Sequence, residues 1–312
     1  MRHVIGIDGG GTKTELQVAD LSGDTLITLG GGSSNVKAVG LKRVLEVVHL
    51  MLEEIYKKHG LLPKDCIGIC LGLAGTEQQD ERNVVASHVR HYFEKQGHTD
   101  IGIQVTNDAE IALAAAFGKN RGVMAISGTG SIVFGIASSG EHHRTGGWGH
   151  LLGDKGSGYE IGLSSLQAVM LSFDGVKPPT LLTPFILRKL GLSAPPELRS
   201  VMYQSHIEKK HIAELAEACI QAAEEQDTAA LHILCTAAED LAALTAALRR
   251  QDLSFSGVPQ GVTGSIFKHS SLFLNFYKEQ LEKHCGSVSI IQTEHRPVYG
   301  AVNLALRLKE GP

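Results

Sequence analysis

The 312-residue chain has no charge excess that would define a polyanionic partner. Its 29 Lys and Arg stand against 33 Asp and Glu, a formal net charge of −4, with a pI near 6.4. That balance offers no electrostatic footprint for DNA, RNA or an anionic membrane, so neither nucleic acid nor membrane is expected as a partner. Cysteine is sparse. Cys66, Cys70, Cys219, Cys235 and Cys285 are odd in number and scattered, which makes a poor disulfide framework. No CxxC and no ligand-spaced Cys/His cluster occurs, which argues against structural zinc and an iron–sulfur centre. The N-terminal MRHVIGIDGGG lacks an apolar core of signal-peptide length. No apolar run approaches the ~18 residues of a membrane span, and the chain is expected to be cytoplasmic. Low-complexity stretches and an obvious linker are also missing, as is the Gly-Lys-Ser/Thr of a P-loop NTPase.

What is present is an ordinary globular composition, 43% hydrophobic and 20% charged, in a chain long enough for about two domains. Glycine is abundant, at 36 residues, and clustered, which signals tight turns and close backbone approach. VIGID (4–8) reads as a strand, followed by the turn GGGTK and the alternating strand TELQVAD. SGD then turns the chain into TLITLG, giving an antiparallel meander rather than a Rossmann strand–turn–helix. An apolar stripe from Val44 to Ile55 predicts a helix over 36–59. CIGICLGLAG reads as a buried strand and 76–96 as a helix capped by Thr76. IGIQVTND then reads as a fifth strand, before the alanine-rich helix AEIALAAAFG.

The second half restates this order. GVMAISGTGSIVFGIASSG lies over VIGIDGGGTKTELQVADLSG at an offset of about 119 residues, a duplication at domain scale. The chain is thereby divided into 1–118 and 119–312. Helices are expected at about 157–173, 179–190, 207–224 and 228–250, and again over SLFLNFYKEQLEKH. Short strands are expected at VPQGVTGS and SVSIIQ. A final helix, about 297–309 with Pro297 at its start, is expected to pack back on the first domain. The fold class is α/β, with two duplicated domains.

A strand–glycine turn–strand unit exposes backbone N–H groups suited to phosphate oxygens, and a threonine hydroxyl adds a donor. Gly9, Gly10, Gly11 and Thr12 form one such turn, and Gly128, Thr129 and Gly130 the other. A single turn of this kind is equally a plain hairpin turn; two duplicated ones could hold one polyphosphate across a cleft. Lys13 is counted among the nucleotide-binding candidates and assigned to the following strand. Asp8, ending the first strand, is a candidate Mg²⁺ ligand or a turn cap. Asp108, in TNDA, stands where open α/β sheets place their ligands. It is either a base for phosphoryl transfer or the N-cap of the next helix.

The ordered set IGIDGGGTKTE, GGSSN, TNDA, ISGTGS, GGWGHLLGDKGSG and GVTGSIF resembles the N-acetylglucosamine kinase group of the BadF/BadG/BcrA/BcrD ATPase family. That family lies within the actin–hexokinase–chaperone superfamily. The resemblance runs from Val4 to about Leu306 and is weakest over 175–255. It implies two ribonuclease-H-like domains, with ATP and Mg²⁺ in the cleft between them, and a homodimer. Residue by residue, it makes Thr12 and Thr129 phosphate contacts and Asp108 the catalytic base, which also binds the sugar. Asn35, Gly147, Trp148, Gly149 and Asp154 become sugar contacts, and Gly264 and Ser265 part of the adenosine motif. Trp148 is also readable as a hydrophobic plug, and His150 as merely structural. His142, His143, His88 and His91 read as exposed or helix-surface histidines.

The implied activity is ATP-dependent phosphorylation of the 6-hydroxyl of N-acetylglucosamine, with glucosamine and N-acetylmuramic acid as close alternatives. A different class in the same family is the ATPase activator of an acyl-CoA reductase or dehydratase, which would need closely placed cysteines for a cluster. A sugar-sensing regulator is a third. No helix-turn-helix stretch precedes the first strand, and the zinc-binding cysteine cluster of glucokinase-and-repressor kin is missing.

Overall fold

The computed structural model describes residues 1–76, 78–293 and 295–308, and they divide into two compact units. The first is 1–121 with 293–312, and the second is 122–292. The division thus falls after Arg121 rather than after Gly118, and the C-terminal segment belongs to the first unit.

In the first unit β1 (His3–Gly9), β2 (Thr14–Ala19) and β3 (Thr25–Gly31) form the expected meander. Two helices follow, α1 (Val36–Val39) and α2 (Leu41–Lys58), where the sequence predicts one. The break is Gly40, whose φ of +78° no helix tolerates. β4 (Cys66–Leu73), α3 (Gln79–Lys95), β5 (Gly102–Thr106) and α4 (Asp108–Phe117) complete the N-terminal part. The sheet order is β3-β2-β1-β4-β5, with β1, β4 and β5 mutually parallel. Thr76 is not a helix cap: its hydroxyl donates to the carbonyls of Leu73 (2.6 Å) and Thr106 (3.2 Å), tying together the ends of β4 and β5.

The final helix, α13 (Pro297–Arg307), lies on this sheet; Lys309, the last residue of the expected helix, is outside the described residues. Its seat is cut by glycine. A Cβ at Gly6 of β1 would come within 2.6 Å of the Val302 nitrogen, one at Gly68 of β4 within 2.6 Å of the Ala305 oxygen, and one at Gly300 within 1.8 Å of the Ile111 oxygen of α4. Backbones this close gain dispersion contact on both sides.

The second unit repeats the sheet with β6 (Gly122–Ser127), β7 (Ser131–Ile136), β8 (His142–Gly146), β9 (Gln260–Thr263) and β10 (Ile290–Gln292). Its order, β8-β7-β6-β9-β10, matches the first sheet strand for strand. β8 escapes the sequence reading because HHRTG, on an edge strand, carries no apolar alternation.

Between β8 and β9 come α5 (Gly158–Phe173), α6 (Leu182–Leu190), α7 (Glu197–Met202), α8 (Lys209–Ala213), α9 (Ala216–Glu224) and α10 (Thr228–Arg249). The expected 207–224 helix is thus two, and α7 is additional. Between β9 and β10 lie α11 (Ser265–His269) and α12 (Ser271–Cys285). Among the described residues α10 is long and apolar enough to cross a membrane by length and composition, which the sequence reading overlooks. Here it is a core helix, with Leu234, Leu241 and Leu248 fully buried.

Candidate active site

In the first unit the glycine turn joins β1 to β2. Gly10 N–H donates to the Lys13 carbonyl at 2.9 Å, so Lys13 belongs to the turn and not to the strand. None of Gly9, Gly10, Gly11, Gly128 or Gly130 has a positive φ. The left-handed conformations of two-residue hairpins are therefore not the reason for glycine here. At Gly9 the reason is packing, since a Cβ would come within 2.1 Å of Ser34 Oγ. At Gly11 a Cβ would meet nothing within 4 Å. What its absence leaves is bare, exposed backbone beside the exposed hydroxyl of Thr12. The GGSSN loop braces the turn from behind: Ser34 N–H donates to Gly10 O (3.1 Å), and Thr14 Oγ1 donates to Gly32 O (2.6 Å).

Asp8 is the penultimate residue of β1. Burial, and next the charge of Asp108, raise its carboxyl from 3.8 to about 6, with Glu15 adding to the effect and Lys13 opposing it. Glu15, opposite Asp8 in the β1–β2 ladder, pairs with Arg296 at 2.6 Å. Asp108 is exposed and occupies the first position of α4. The capping role that the sequence leaves open for it belongs to Asn107, whose side chain accepts from Glu110 N–H at 2.8 Å. Asp108 itself accepts from Ala109 N–H at 3.1 Å. Asn35 caps α1, its Oδ1 accepting from Lys37 N–H (3.0 Å) and Ala38 N–H (3.2 Å). Its amide Nδ2 is the donor end of the side chain.

In the second unit the equivalent turn runs from Gly128 to Gly130, one residue shorter than the first, with Gly128 N–H donating to Gly130 O at 2.9 Å. The GDKGSG segment braces it. Ser127 Oγ donates to Gly156 O (2.6 Å), Ser131 Oγ to Lys155 O (2.7 Å) and Gly158 N–H to Gly128 O (2.7 Å). Asp154, 4% exposed, accepts from Lys209 Nζ at 2.5 Å. Gly147 and Gly149 have φ of +68° and +85° and bend the chain around Trp148. That indole is 60% exposed, with the Arg144 guanidinium 4.1 Å from its ring centre, so it is not a buried plug. His150 packs edge-on against Tyr159.

Beside this turn lies a pocket of about 540 Å³, within the range of small-ligand sites. Gly128, Thr129 and Ser265 line one side, and Lys210, Glu214, Ile220 and Gln221 of α8 and α9 with their junction line another. Gly264 permits the close crossing of β9's end over β6. Its φ is +107°, and a Cβ there would come within 2.2 Å of Ser127 O. The α8–α9 residues are invisible to motif reading, because polar residues on a short helix look like any solvated face.

The cysteines do not form a cluster site. Cys66, Cys70 and Cys219 are buried, and burial pushes the Cys66 and Cys219 thiols up to about 12, far from thiolate. Among the described residues the group of side chains able to hold a metal is Glu141, His143 and Asp252, with no cysteine in it. His143 is accordingly not the surface histidine that the sequence suggests: it packs edge-on against Phe255.

Two α/β units of one strand order, each carrying a braced glycine turn between its first two strands, define a duplicated α/β class of protein. Comparison with known proteins gives the family. The profile of the BadF/BadG/BcrA/BcrD ATPase family matches residues 5–305. The chain belongs to that family, and ATP use comes with membership. An N-acetylmuramic acid/N-acetylglucosamine kinase of Clostridium acetobutylicum is 33% identical over 308 residues, covering 98% of each chain. An N-acetyl-D-glucosamine kinase of Dictyostelium discoideum is 31% identical over 317 residues, again covering 98% of each. A solved structure from Chromobacterium violaceum, provisionally named an N-acetylglucosamine kinase, shares the fold. It is 24% identical, with a TM-score of 0.68 over 97% of this chain and 99% of that one.

Proposed function

We propose that the chain is an ATP-dependent kinase that phosphorylates the 6-hydroxyl of N-acetylglucosamine or a closely related amino sugar. The observation that carries this reading is Asp108. It is an exposed carboxylate past the end of β5, relieved of helix capping by Asn107 and close enough to Asp8 to raise its pKa. Asp108 would accept the proton of the sugar hydroxyl as that oxygen attacks the γ-phosphorus, the bond to the β,γ-bridging oxygen breaks and ADP leaves. The amides of Gly10 and Gly128 are used within their own turns. The phosphates would therefore be met by the N–H groups of Gly11 and Thr129 and by the hydroxyls of Thr12 and Thr129.

Mg²⁺ fits Asp8. A half-buried carboxylate beside Asp108 and Glu15 carries a concentration of negative charge that a divalent cation would relieve. When bound, the ion would offset the charge of the transferring phosphoryl group. For a neutral, hydroxyl-ringed sugar the first unit would offer the Asn35 amide as a donor and Asp108 as an acceptor, and the second unit the Gly147–Trp148–Gly149 bend and, as an acceptor, Asp154 Oδ1, Lys209 occupying Oδ2. Adenosine would enter the pocket between Ser265 and the α8–α9 junction.

N-acetylmuramic acid is a second acceptor to test, because the Clostridium relative's name carries both sugars. Homodimerisation belongs to the same proposal, and light scattering on the purified chain tests it. The function itself is tested by coupled ADP release. Turnover should depend on N-acetylglucosamine, and ADP release indifferent to any amino sugar would refute it.

A further inference from the structure

Lys209 and Lys210 open α8 beside the second glycine turn, and the fold takes pains to keep them there. Gly158 and Gly162, one helical turn apart on α5, present no side chains where α8 crosses. A Cβ at Gly162 would come within 2.0 Å of the Ile212 carbonyl oxygen, and one at Gly158 within 3.3 Å of that of Ala213. The start of α8 is fixed by Glu208 N–H donating to His211 Nδ1 at 2.9 Å. Lys210 then lines the pocket with Gly128 and Thr129, while Lys209 reaches the other end of the turn. A Cβ at Gly130 would come within 2.8 Å of Lys209 Nζ and 3.0 Å of Asp154 Oδ2.

The pair that results is costly to build. Asp154 is 4% exposed, and its φ of +57° puts a non-glycine residue in the left-handed region. Lys209 keeps 29% of its side chain in solvent against 6% for Asp154, so the carboxylate bears the desolvation cost of the pair. Strained backbone of this kind collects at ligand sites. The cost falls where the chain also omits a side chain, at Gly130, beside that ammonium. An ammonium has three donors, and Asp154 takes one.

We infer that Lys209 is a phosphate-binding residue of the nucleotide site, its ammonium held against Gly130 by Asp154 so that its remaining donors meet the phosphates of ATP. This rests on the proposed reading of the second turn as a phosphate turn. Asp154 thereby serves as a positioning residue for that cation as well as a candidate sugar contact. Nothing in the sequence around Glu208-Lys209-Lys210-His211 distinguishes Lys209 from a surface lysine.

The test is calorimetry of ATP, ADP, AMP and adenosine, without sugar, on the wild type, Lys209→Met, Lys209→Arg and the double variant Lys209→Met/Asp154→Asn. A charge-assisted hydrogen bond lost to phosphate should weaken ATP binding by about tenfold or more. ADP should be affected less, adenosine not at all, and Lys209→Arg should recover part of the loss. The double variant removes the stranded carboxylate and should show the same phosphate-dependent loss. ATP affinity unchanged in Lys209→Met, or a loss equal for ATP and adenosine, would overturn the inference. Gly128→Val separates the two ideas. If it too binds ATP normally, the phosphate-turn reading fails; if it fails to bind while Lys209→Met binds normally, only the role of Lys209 falls.

Discussion

Asp8 stands at the carboxyl end of β1 and Asp108 just past that of β5, with β4 between the two strands, and the charge of Asp108 is, after burial, the main reason that Asp8 ionises near pH 6 rather than 3.8. The relationship is one of repulsion that the fold sustains. A protein selected only for stability would relieve it.

Stability should depend on pH through Asp8. A raised carboxyl pKa means that the folded state holds a proton that the unfolded state has already lost, so Asp8 lowers stability as pH rises from about 4 through about 6. Asp8→Asn removes that loss. Its melting temperature should match the wild type below about pH 4 and exceed it above about pH 6, in metal-free buffer. With saturating Mg²⁺ and nucleotide the order should reverse. A constant difference across the pH range would mean that Asp8 titrates normally.

Asp108→Asn keeps the size of the side chain and leaves the Asn107 cap in place, so the fold should be unaffected. kcat should fall by roughly 10²–10⁴-fold, the usual worth of a general base, with ATP affinity retained. It should also return the Asp8 pKa toward its ordinary value, readable by carbonyl NMR titration.

The glycine turns make a prediction that separates folding from binding. Gly11 has open space around its Cβ position, and the nearest atom to one at Gly128 is 3.8 Å away; neither has a positive φ. Gly11→Val and Gly128→Val should therefore melt close to the wild type, yet bind ATP poorly by calorimetry because a side chain bars the approach of phosphate. Had φ been the reason for glycine, both variants would unfold early.

Asn35 needs a substitution that spares its cap. Asn35→Ala would cost about 1 kcal/mol of helix stability and confuse the two roles. Asn35→Asp keeps an oxygen for Lys37 and Ala38 but loses the Nδ2 donor. Steady-state kinetics should show the KM for the sugar rising well beyond any change in that for ATP.

The duplication was legible because alternation and glycine turns are local signals, and both sheets follow it. The breaks at Gly40 and at Glu214–Leu215 escape the sequence because one glycine or a two-residue gap leaves little mark between segments that are helical in composition on both sides. For the candidate site, the motifs point to segments but not to the contacts their side chains make. Asn107 rather than Asp108 caps α4, and Asp154 turns out to be paired with a lysine 55 positions on in the chain. A partner that distant leaves no trace in spacing, and the α8–α9 wall of the pocket is hidden for the same reason.

Phosphoryl transfer to a sugar is tested most directly by ³¹P NMR of the complete reaction. ATP, Mg²⁺ and N-acetylglucosamine with the wild-type chain should give ADP and a sugar 6-phosphomonoester in equal amounts, with Asp108→Asn giving neither at a comparable rate. ADP accompanied by free inorganic phosphate, with the sugar unchanged, would make the chain an ATPase of the activator type and contradict the account.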